Sequence, residues 1–174
     1  MRQEIKRIQS ELNITSIYVT HDQKEALAIA NKIAVMNSGV IEQLGSSNEI
    51  YHHPVNSFVS NFIGESNLVK PQIVKRSKNS CIIKVLDLQV EINTASDEFL
   101  CLIRPEEIYP TQHNGIEVKV KWVENMGNIV RYTLSVGNDI LIMDRLNKLS
   151  NKKYEIGEKL TVFFEKQAVK IVEV

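Results

Sequence analysis

One histidine follows a predicted strand, at a position where α/β proteins contact phosphate groups. His21 follows the apolar, β-branched run 17–20 and precedes Asp22 and Gln23, where a helical pattern begins. That order predicts an imidazole at the C-terminal end of a strand, where open α/β sheets gather their ligands. Such an imidazole can donate a hydrogen bond to a phosphate oxygen. His21 alone cannot hold a nucleotide, because phosphates are also held by the backbone amides of a Gly-rich loop.

The other candidate residues give weaker signals. Arg104, which precedes Pro105, either binds a regulatory anion or makes structural bonds to carboxylates and backbone carbonyls. The structural interpretation is favoured, and Arg104 and Glu106 are the candidate regulatory residues. His52 and His53 are adjacent and therefore point to different faces of a helix. No carboxylate or thiol lies at ligand spacing from them, so we expect a surface helix end there and no metal site.

Composition describes an ordinary globular chain. Of 174 residues 43% are hydrophobic, and 21 basic residues balance 21 acidic ones. The zero net charge gives no argument for a nucleic-acid partner, and the longest apolar runs are too short to span a bilayer. No secretion signal follows Met1. Cys81 and Cys101 lie in apolar runs and are expected to be buried thiols in a reducing compartment, so we expect a cytoplasmic protein without membrane insertion.

The predicted elements around His21 alternate between helix and strand up to about residue 64. Asp22 and Glu25 have capping-box spacing ahead of a helix, and Ser57 is expected to cap another. The predicted elements are a helix over Arg2–Leu12, a strand over Thr15–Thr20, a hairpin of Lys32–Met36 and Val40–Leu44 around Asn37–Gly39, and short helices over Asn48–His52 and Ser57–Ile63.

From about Val69 the pattern is all β, with short apolar runs separated by turn residues. Gly137 and Asn138 predict a two-residue hairpin turn. Trp122 alternates with Val118 and Val120, so we expect it in the core rather than in a ligand-stacking position. The predicted strands are Gln72–Val74, Cys81–Val85, Gln89–Ile92, Phe99–Ile103, Glu117–Glu124, Ile129–Val136, Asp139–Met143, Leu160–Phe164 and Val169–Val172.

Much of this sequence resembles the end of the ATP-binding subunit of an ABC importer. The matching segments are, in order, Ile17–Gln23, Glu25–Ala26, Ile33–Met36, Gly39, Ile41–Gly45, Glu49–Tyr51, Pro54, Phe58–Val59 and Phe62–Gly64. Farther on, Ile103–Glu106 resembles the Arg-Pro-Glu signature of the family's C-terminal regulatory module, the transport-associated domain. Val123–Gly127 resembles the next motif of that module.

The resemblance implies an α+β fold. A short α/β remnant of an ABC ATPase domain, residues 1–64, would precede an all-β domain of the oligonucleotide-binding (OB) barrel type, residues 65–174. His21 matches the family's switch histidine, which contacts the γ-phosphate of ATP; that contact stabilises charge in phosphoryl transfer and senses the phosphate. In the intact family member ATP and Mg²⁺ are the cofactors, paired subunits energise a membrane permease at the inner face of the membrane, and the barrel stabilises the dimer.

The transported substrate is less clear from the resemblance. Gly64–Leu68 is more similar to iron(III), polyamine or phosphonate importers than to sugar importers, which carry a Gly-Ser-Pro run there.

The other parts of a nucleotide site do not occur in this sequence. None of the seven glycines stands in a G-x-x-x-x-G-K-[ST] loop, and no Gly-Gly pair is present for the family's signature loop. The run Ile140–Asp144 imitates the family's Mg²⁺-binding strand, but it lies after His21 rather than before it. We therefore interpret Asp144 as the polar end of a strand and expect no ATP hydrolysis by this chain alone. Its sheet edge, 16–20, is expected to pair with a second copy or to pack on the barrel.

Two alternatives remain open on the sequence. One is a free-standing OB-like module that binds a small anion or single-stranded nucleic acid, although the neutral charge argues against nucleic acid. The other is an intact ATPase, which would show measurable ATP binding.

Overall fold

The computed structural model describes residues 2–77, 80–94, 96 and 98–174, with side chains from Glu4 onward. The chain divides into two compact units, unit 1 up to Gly64 and unit 2 over Glu65–Val174. No helix in the described part of the chain combines the length and apolar character that a bilayer-spanning segment needs.

The described residues of unit 1 form four helices and a hairpin, and the first helix contributes no residue to the small core. Ile33 and Val35 of the hairpin, with Ile50, Val59 and Ile63, form its buried apolar cluster. The elements are α1 (Arg2–Leu12), α2 (Gln23–Ile29), β1 (Ile33–Asn37), β2 (Val40–Gly45), α3 (Ser47–His52) and α4 (Ser57–Phe62).

The strand predicted over Thr15–Thr20 is wrong. No regular element occurs between α1 and α2, and Ile17 and Val19 are 93% and 91% exposed. A strand forms only when a neighbouring backbone and a packed side-chain layer support it. No strand among the described residues pairs with this segment, so its β-branched composition alone does not make it a strand.

The local signals around the hairpin are confirmed more closely. Ser38 and Gly39 adopt positive φ angles of 49° and 85°, as a tight hairpin turn between Asn37 and Val40 requires. The predicted cap of the last helix is wrong by one residue. Asn56 rather than Ser57 caps α4, because its side-chain Oδ1 accepts the Val59 amide at 2.9 Å.

Unit 2 is built from antiparallel strands, as the sequence pattern predicts. The sheets have the orders β11-β10-β9-β12-β8, β13-β7-β3 and β4-β5-β6. Short 3₁₀ helices span 105–107 and 166–168. The strands are β3 (Asn67–Val69), β4 (Gln72–Arg76), β5 (Cys81–Val85), β6 (Leu88–Ile92), β7 (Phe99–Ile103), β8 (Tyr109–Thr111), β9 (Ile116–Asn125), β10 (Ile129–Val136), β11 (Asp139–Leu146), β12 (Lys159–Phe163) and β13 (Lys170–Glu173).

All these sheets contribute to one core. Leu134, Leu141 and Met143 have no exposed surface, and Tyr132 is 2% exposed. The thiols Cys81 and Cys101 are free and buried, and burial raises the pKa of Cys101 to about 12. Unit 2 is therefore mostly β, whereas a closed OB barrel stays a prediction.

The placement of Trp122 contradicts the sequence pattern. Thr133 of β10 pairs with Trp122 while Leu134 pairs with Val120, so Lys121 is an extra residue in β9. Such a β-bulge reverses the side-chain alternation beyond it. Trp122 therefore lies 62% exposed on the outer face of the sheet, and Val123 packs against the core instead.

Asn67 connects two of the sheets. The Nδ2 group of its buried side chain donates to the Ile142 carbonyl at 2.8 Å, and its Oδ1 accepts the Ile142 amide at 2.6 Å. The side-chain amide thus satisfies the backbone of the edge strand β11 as a neighbouring strand would. This ties β3 to β11.

Candidate functional site

His21 lies in a hydrogen-bonded corner of unit 1. The Asp22 Oδ1 atom accepts the Glu25 amide at 3.0 Å and so caps α2, as the sequence predicts. The Thr20 hydroxyl accepts the Asp22 amide at 2.9 Å and donates to the Glu25 Oε2 atom at 3.2 Å. The Tyr18 hydroxyl donates to the same carboxylate oxygen at 3.0 Å. The residues on both sides of His21 are therefore fixed.

The imidazole itself is exposed. Its neighbours in the chain are held by side-chain bonds, so little backbone freedom at His21 is left for a ligand to remove. The geometry fits a group that donates one hydrogen bond to an external acceptor. The γ-phosphate role of His21 stays a prediction.

Arg104 has a structural position in unit 2. It follows β7, is 5% exposed, and donates through Nη1 to the Glu65 carbonyl at 3.1 Å and to the Ser66 hydroxyl at 2.8 Å. These bonds fit the structural interpretation of Arg104, because the guanidinium is buried against the chain that enters the unit. A regulatory role for it stays a prediction.

Arg131 makes a bidentate ion pair with Asp144 in unit 2. Its Nε and Nη2 atoms each donate to one Asp144 oxygen at 2.8 Å, and Nη1 lies 2.9 Å from the Glu65 Oε1 atom. The hydrogen bonds to Asp144 raise the pKa of Arg131 above its ordinary value. Only 16% of the Arg131 side chain and 12% of the Asp144 side chain are exposed, so water screens this pair weakly.

Together these contacts fix the first residues of unit 2. Arg104 holds Glu65 and Ser66, Arg131 holds the Glu65 carboxylate, and the Asn67 side chain bonds β11. We call this arrangement the entry clamp. It also explains Asp144: the residue ends an apolar run in a β-hairpin strand and pairs with Arg131 across it.

A cleft of about 510 Å³ lies at the end of the β10–β11 hairpin. We call it the β11 cleft. Its lining combines two carboxylates, two cations, one amide and two aliphatic side chains: Glu106, Asp144, Arg145, Lys148, Asn151, Ile129 and Leu146.

The predicted site residues are thus distributed over both units. His21 lies in unit 1, and Arg104 and Glu106 lie in unit 2, where Glu106 lines the β11 cleft and Arg104 belongs to the entry clamp. Sequence reasoning missed Arg131 and Arg145. The hairpin turn at 137–138 fixes the pairing of Arg131 with Asp144 and was the available signal.

His52 ends α3 and His53 caps it, both exposed. Within the described residues no group of three or more His, Cys, Asp or Glu side chains could hold a metal ion.

Part of unit 2 matches a known family model. Residues 101–171, from β7 to β13, match the TOBE domain model. The matched residues include β10 and β11, and the paired ends of these two strands line the β11 cleft.

The similarity to curated proteins extends through unit 1. The chain is 33% identical to the spermidine/putrescine import ATP-binding protein PotA of Mesomycoplasma hyopneumoniae (strain 232), over 97% of this chain and 37% of the relative. It is 30% identical to the protein of the same name from Nitrosomonas europaea, over 99% of this chain and 52% of the relative. It is 37% identical to the sulfate/thiosulfate import ATP-binding protein CysA of Methylococcus capsulatus, over 77% of this chain and 38% of the relative.

The chain is therefore homologous to import ATP-binding proteins, and residues 101–171 match the TOBE domain model. It spans between about a third and about a half of the length of these curated relatives.

Proposed function

We propose that this chain is the C-terminal part of the ATP-binding subunit of an ABC importer. The observation that carries the proposal is the similarity of almost the whole chain, both units included, to import ATP-binding proteins, together with the TOBE match in unit 2. Unit 1 supplies the switch-histidine segment, and unit 2 supplies the regulatory and dimerisation domain.

His21 is the residue of unit 1 that meets the nucleotide in this proposal. ATP with Mg²⁺ supplies the phosphoryl transfer when bound. The exposed imidazole, held between Thr20 and Asp22, donates a hydrogen bond to the terminal phosphate and stabilises charge that builds on it. No other residue of this chain is assigned to ATP, and Mg²⁺ is assigned to none of the described residues. The chain alone does not hydrolyse ATP.

The proposed partners are a second copy, giving a homodimer, and membrane permease subunits. The protein is then cytoplasmic and peripheral to the inner face of the membrane. Support for contacts beyond the chain comes from the 14–20 segment, whose Ile17 and Val19 side chains are almost fully exposed. Apolar groups so placed favour burial by another polypeptide.

The proposed substrate class is polyamines. Relatives that are similar to this chain over 97–99% of its length are named for spermidine/putrescine import. The sulfate/thiosulfate relative covers 77% of it.

Uptake by the cells that encode this protein tests the proposal. Disruption of the gene is expected to abolish uptake of labelled putrescine and to leave labelled sulfate uptake unchanged. The natural gene carrying His21→Ala is expected to lower putrescine uptake at least tenfold. Lys24→Ala, an exposed change three residues on, is the matched control and should transport normally.

Three results would count against parts of this account. Unchanged uptake of both solutes in the disrupted strain would contradict the importer function. Loss of sulfate uptake alone would replace the substrate class. Purified chain that hydrolyses Mg-ATP, with the rate lost in His21→Ala, would contradict the proposal that the chain is inactive by itself.

A further inference from the structure

The connection between β8 and β9 contains the one Asn-Gly step of the sequence, Asn114-Gly115. β12 lies between these two strands in the sheet, so the connection crosses the end of β12. Both residues are exposed, and residues 112–115 belong to no helix or strand. An asparagine followed by glycine can close a five-membered ring on the backbone, because glycine has no side chain to shield its amide nitrogen. The step is therefore a candidate for spontaneous chemical modification.

The packing of the sheet requires a glycine at this position. A Cβ atom on Gly115 would lie 2.5 Å from the Val162 carbonyl oxygen, 2.7 Å from the Thr161 Cγ2 atom and 2.9 Å from the Thr111 Cγ2 atom. The Val162 oxygen belongs to the backbone of β12, which cannot move aside as the end of a flexible side chain can. Since no side chain fits there, the residue after Asn114 remains the one that hinders ring closure least.

The two groups that would react are not held apart by hydrogen bonds. The Thr111 hydroxyl donates to the His113 carbonyl at 2.8 Å and accepts the His113 amide at 3.1 Å, which fixes the chain just before Asn114. Within the described part of the chain, the Asn114 side chain and the Gly115 amide make no hydrogen bond. Asn114 has a positive φ angle of 26°, which asparagine adopts more readily than most residues. Its side-chain carbonyl carbon can therefore turn towards the Gly115 nitrogen without loss of a hydrogen bond.

Asn37 and Asn56, which precede serines, are held by the fold instead. Asn37 donates through Nδ2 to one oxygen of Glu42 at 3.0 Å, and Asn56 donates to the other oxygen at 2.9 Å. The Asn56 Oδ1 atom also accepts the Val59 amide as the cap of α4. Ring closure at either residue would break these bonds, so both provide a protected comparison within the same chain.

We propose that Asn114-Gly115 is a site of spontaneous deamidation, which converts residue 114 into isoaspartate and aspartate. The Gly115 amide loses its proton to a base, and its nitrogen attacks the Asn114 Cγ atom. The side-chain nitrogen takes up a proton and leaves as ammonia, and a five-membered succinimide ring remains. One water molecule then opens the ring at either carbonyl, so one ammonia is exchanged for one water and no oxidant is needed. The inference goes beyond the importer function and does not rest on it.

The isoaspartyl product changes the start of β9. It carries the main chain through Cβ and Cγ, which adds one atom to the backbone, and it introduces a negative charge. Gly115 has no room for a Cβ atom on the side of β12, and the pairing of Ile116 with Val162 follows directly. The longer chain is therefore expected to weaken this pairing, whereas the aspartyl product keeps the original chain length.

The test is incubation of the full chain at mildly alkaline pH and body temperature, with samples taken over weeks and digested for mass spectrometry. Water enriched in the heavy oxygen isotope labels each converted residue, and chromatography separates isoaspartyl from aspartyl peptides. Residue 114 is expected to convert at least about tenfold faster than Asn37 and Asn56, with both products present. A smaller difference in rate, or an Asn114 that stays intact over several weeks, would overturn the proposal.

Urea separates the effect of the fold from that of the local sequence. Because the fold leaves Asn114 unprotected, unfolding should change its rate by less than about threefold. Asn37 and Asn56 should convert several-fold faster in urea, since their bonds to Glu42 are lost. If urea accelerates all three residues equally, the fold protects Asn114 as well and the structural basis of the proposal is lost.

Matched variants assign the reaction and its product. Asn114→Gln keeps a side-chain amide but would need a six-membered ring, so conversion of residue 114 should stop; conversion at the original rate would contradict the ring mechanism. Asn114→Asp introduces the charge at the original chain length. The NMR amide signals of Ile116 and Val162 should therefore move more in the isoaspartyl form than in Asn114→Asp. Equal shifts would contradict the expected change at the start of β9. Uptake measurements do not enter this test, so its failure and that of the importer function are distinguishable.

Discussion

The two units of this chain bury their apolar residues to different extents. Among the described residues, unit 2 buries twenty apolar residues in one cluster that draws on all its sheets. The described residues of unit 1 contribute five buried residues to its cluster, while Ile17, Val19, Met36, Ile41 and Leu44 remain more than half exposed. Apolar burial is the main favourable contribution to folding, and it is much larger in unit 2. Unit 2 therefore has a large core of its own, whereas unit 1 has a small one and leaves Ile17 and Val19 almost fully exposed.

The largest test of this contrast is a core truncation in unit 2. Leu134→Ala removes a fully buried side chain of β10 and should lower the free energy of unfolding by about 2–5 kcal/mol, because a cavity remains in a close-packed core. Urea denaturation followed by circular dichroism measures it.

Leu149→Ala is the control, because Leu149 is fully exposed, and its cost should stay within about 0.5 kcal/mol. Similar costs for the two substitutions would mean that the cluster in unit 2 is not a cooperative core, and the contrast between the units would be lost.

The second test addresses the entry clamp. Asp144→Asn leaves the half-buried Arg131 without its bidentate partner and should cost unit 2 about 2 kcal/mol. Denaturation curves of the variant and the unchanged protein at low and high salt measure this cost, and its persistence at high salt is expected for a weakly screened pair.

The exposed pair of Lys159 and Glu117 provides the comparison. Lys159→Ala should change stability by less than about 0.5 kcal/mol. If Asp144→Asn is equally mild, the ion pair does not fix the entrance of unit 2.

The third test moves to unit 1, where local bonds replace a large core. Asp22→Ala removes the N-cap of α2 and should cost about 1 kcal/mol of local stability. Hydrogen exchange of the Glu25 and Ala26 amides, whose partners are Asp22 atoms, reports it directly. Lys24→Ala, exposed in the same turn, should leave exchange unchanged. Equal acceleration in both variants would show that the helix, not the cap, determines exchange.

The smallest effect is a pH dependence in α3. The Ser46 amide and hydroxyl both donate to the Glu49 carboxylate at 2.8 Å and hold its pKa below the ordinary value. A carboxylate with a lowered folded pKa stabilises the fold above its unfolded pKa, and this contribution is lost as pH falls through the folded pKa. NMR titration of Glu49 should show the low pKa, with faster exchange in α3 under acid conditions.

Ser46→Ala removes the hydroxyl donor but keeps the amide donor, so it is expected to raise the Glu49 pKa part of the way to the ordinary value and to weaken this acid sensitivity. A titration identical to that of the unchanged protein would contradict the capping box as its cause.

The sequence predicted local structure well where local causes decide it. Strands β5, β7 and β10 have the predicted bounds, because alternating side chains and turn residues such as Gly137 specify them. The strand β8 was missed, because a proline such as Pro110 usually argues against a strand. In the structure β8 lies at the edge of its sheet, where proline is tolerated.

Features that depend on distant parts of the chain were not predictable. The 15–20 segment has strand composition, but a strand also needs a neighbour that local composition does not reveal. The bulge at Lys121 reverses the direction of Trp122 through the pairing of β9 with β10. Among the site residues, the hydrogen bonds of Arg104 agree with the favoured structural interpretation. The β11 cleft was not predictable, because its lining comes both from the β10–β11 hairpin and from the 3₁₀ helix after Arg104.

The outward position of Trp122 has a spectroscopic consequence. It is the only tryptophan of the chain and is 62% exposed, so its indole emission in the folded protein already resembles that of a hydrated side chain. Denaturation should therefore shift the emission maximum very little, although the core around β10 is lost. A blue shift in the folded protein would instead signal that something has covered the outer face of β9. The chain thus carries a built-in fluorophore for contacts on that sheet rather than for unfolding.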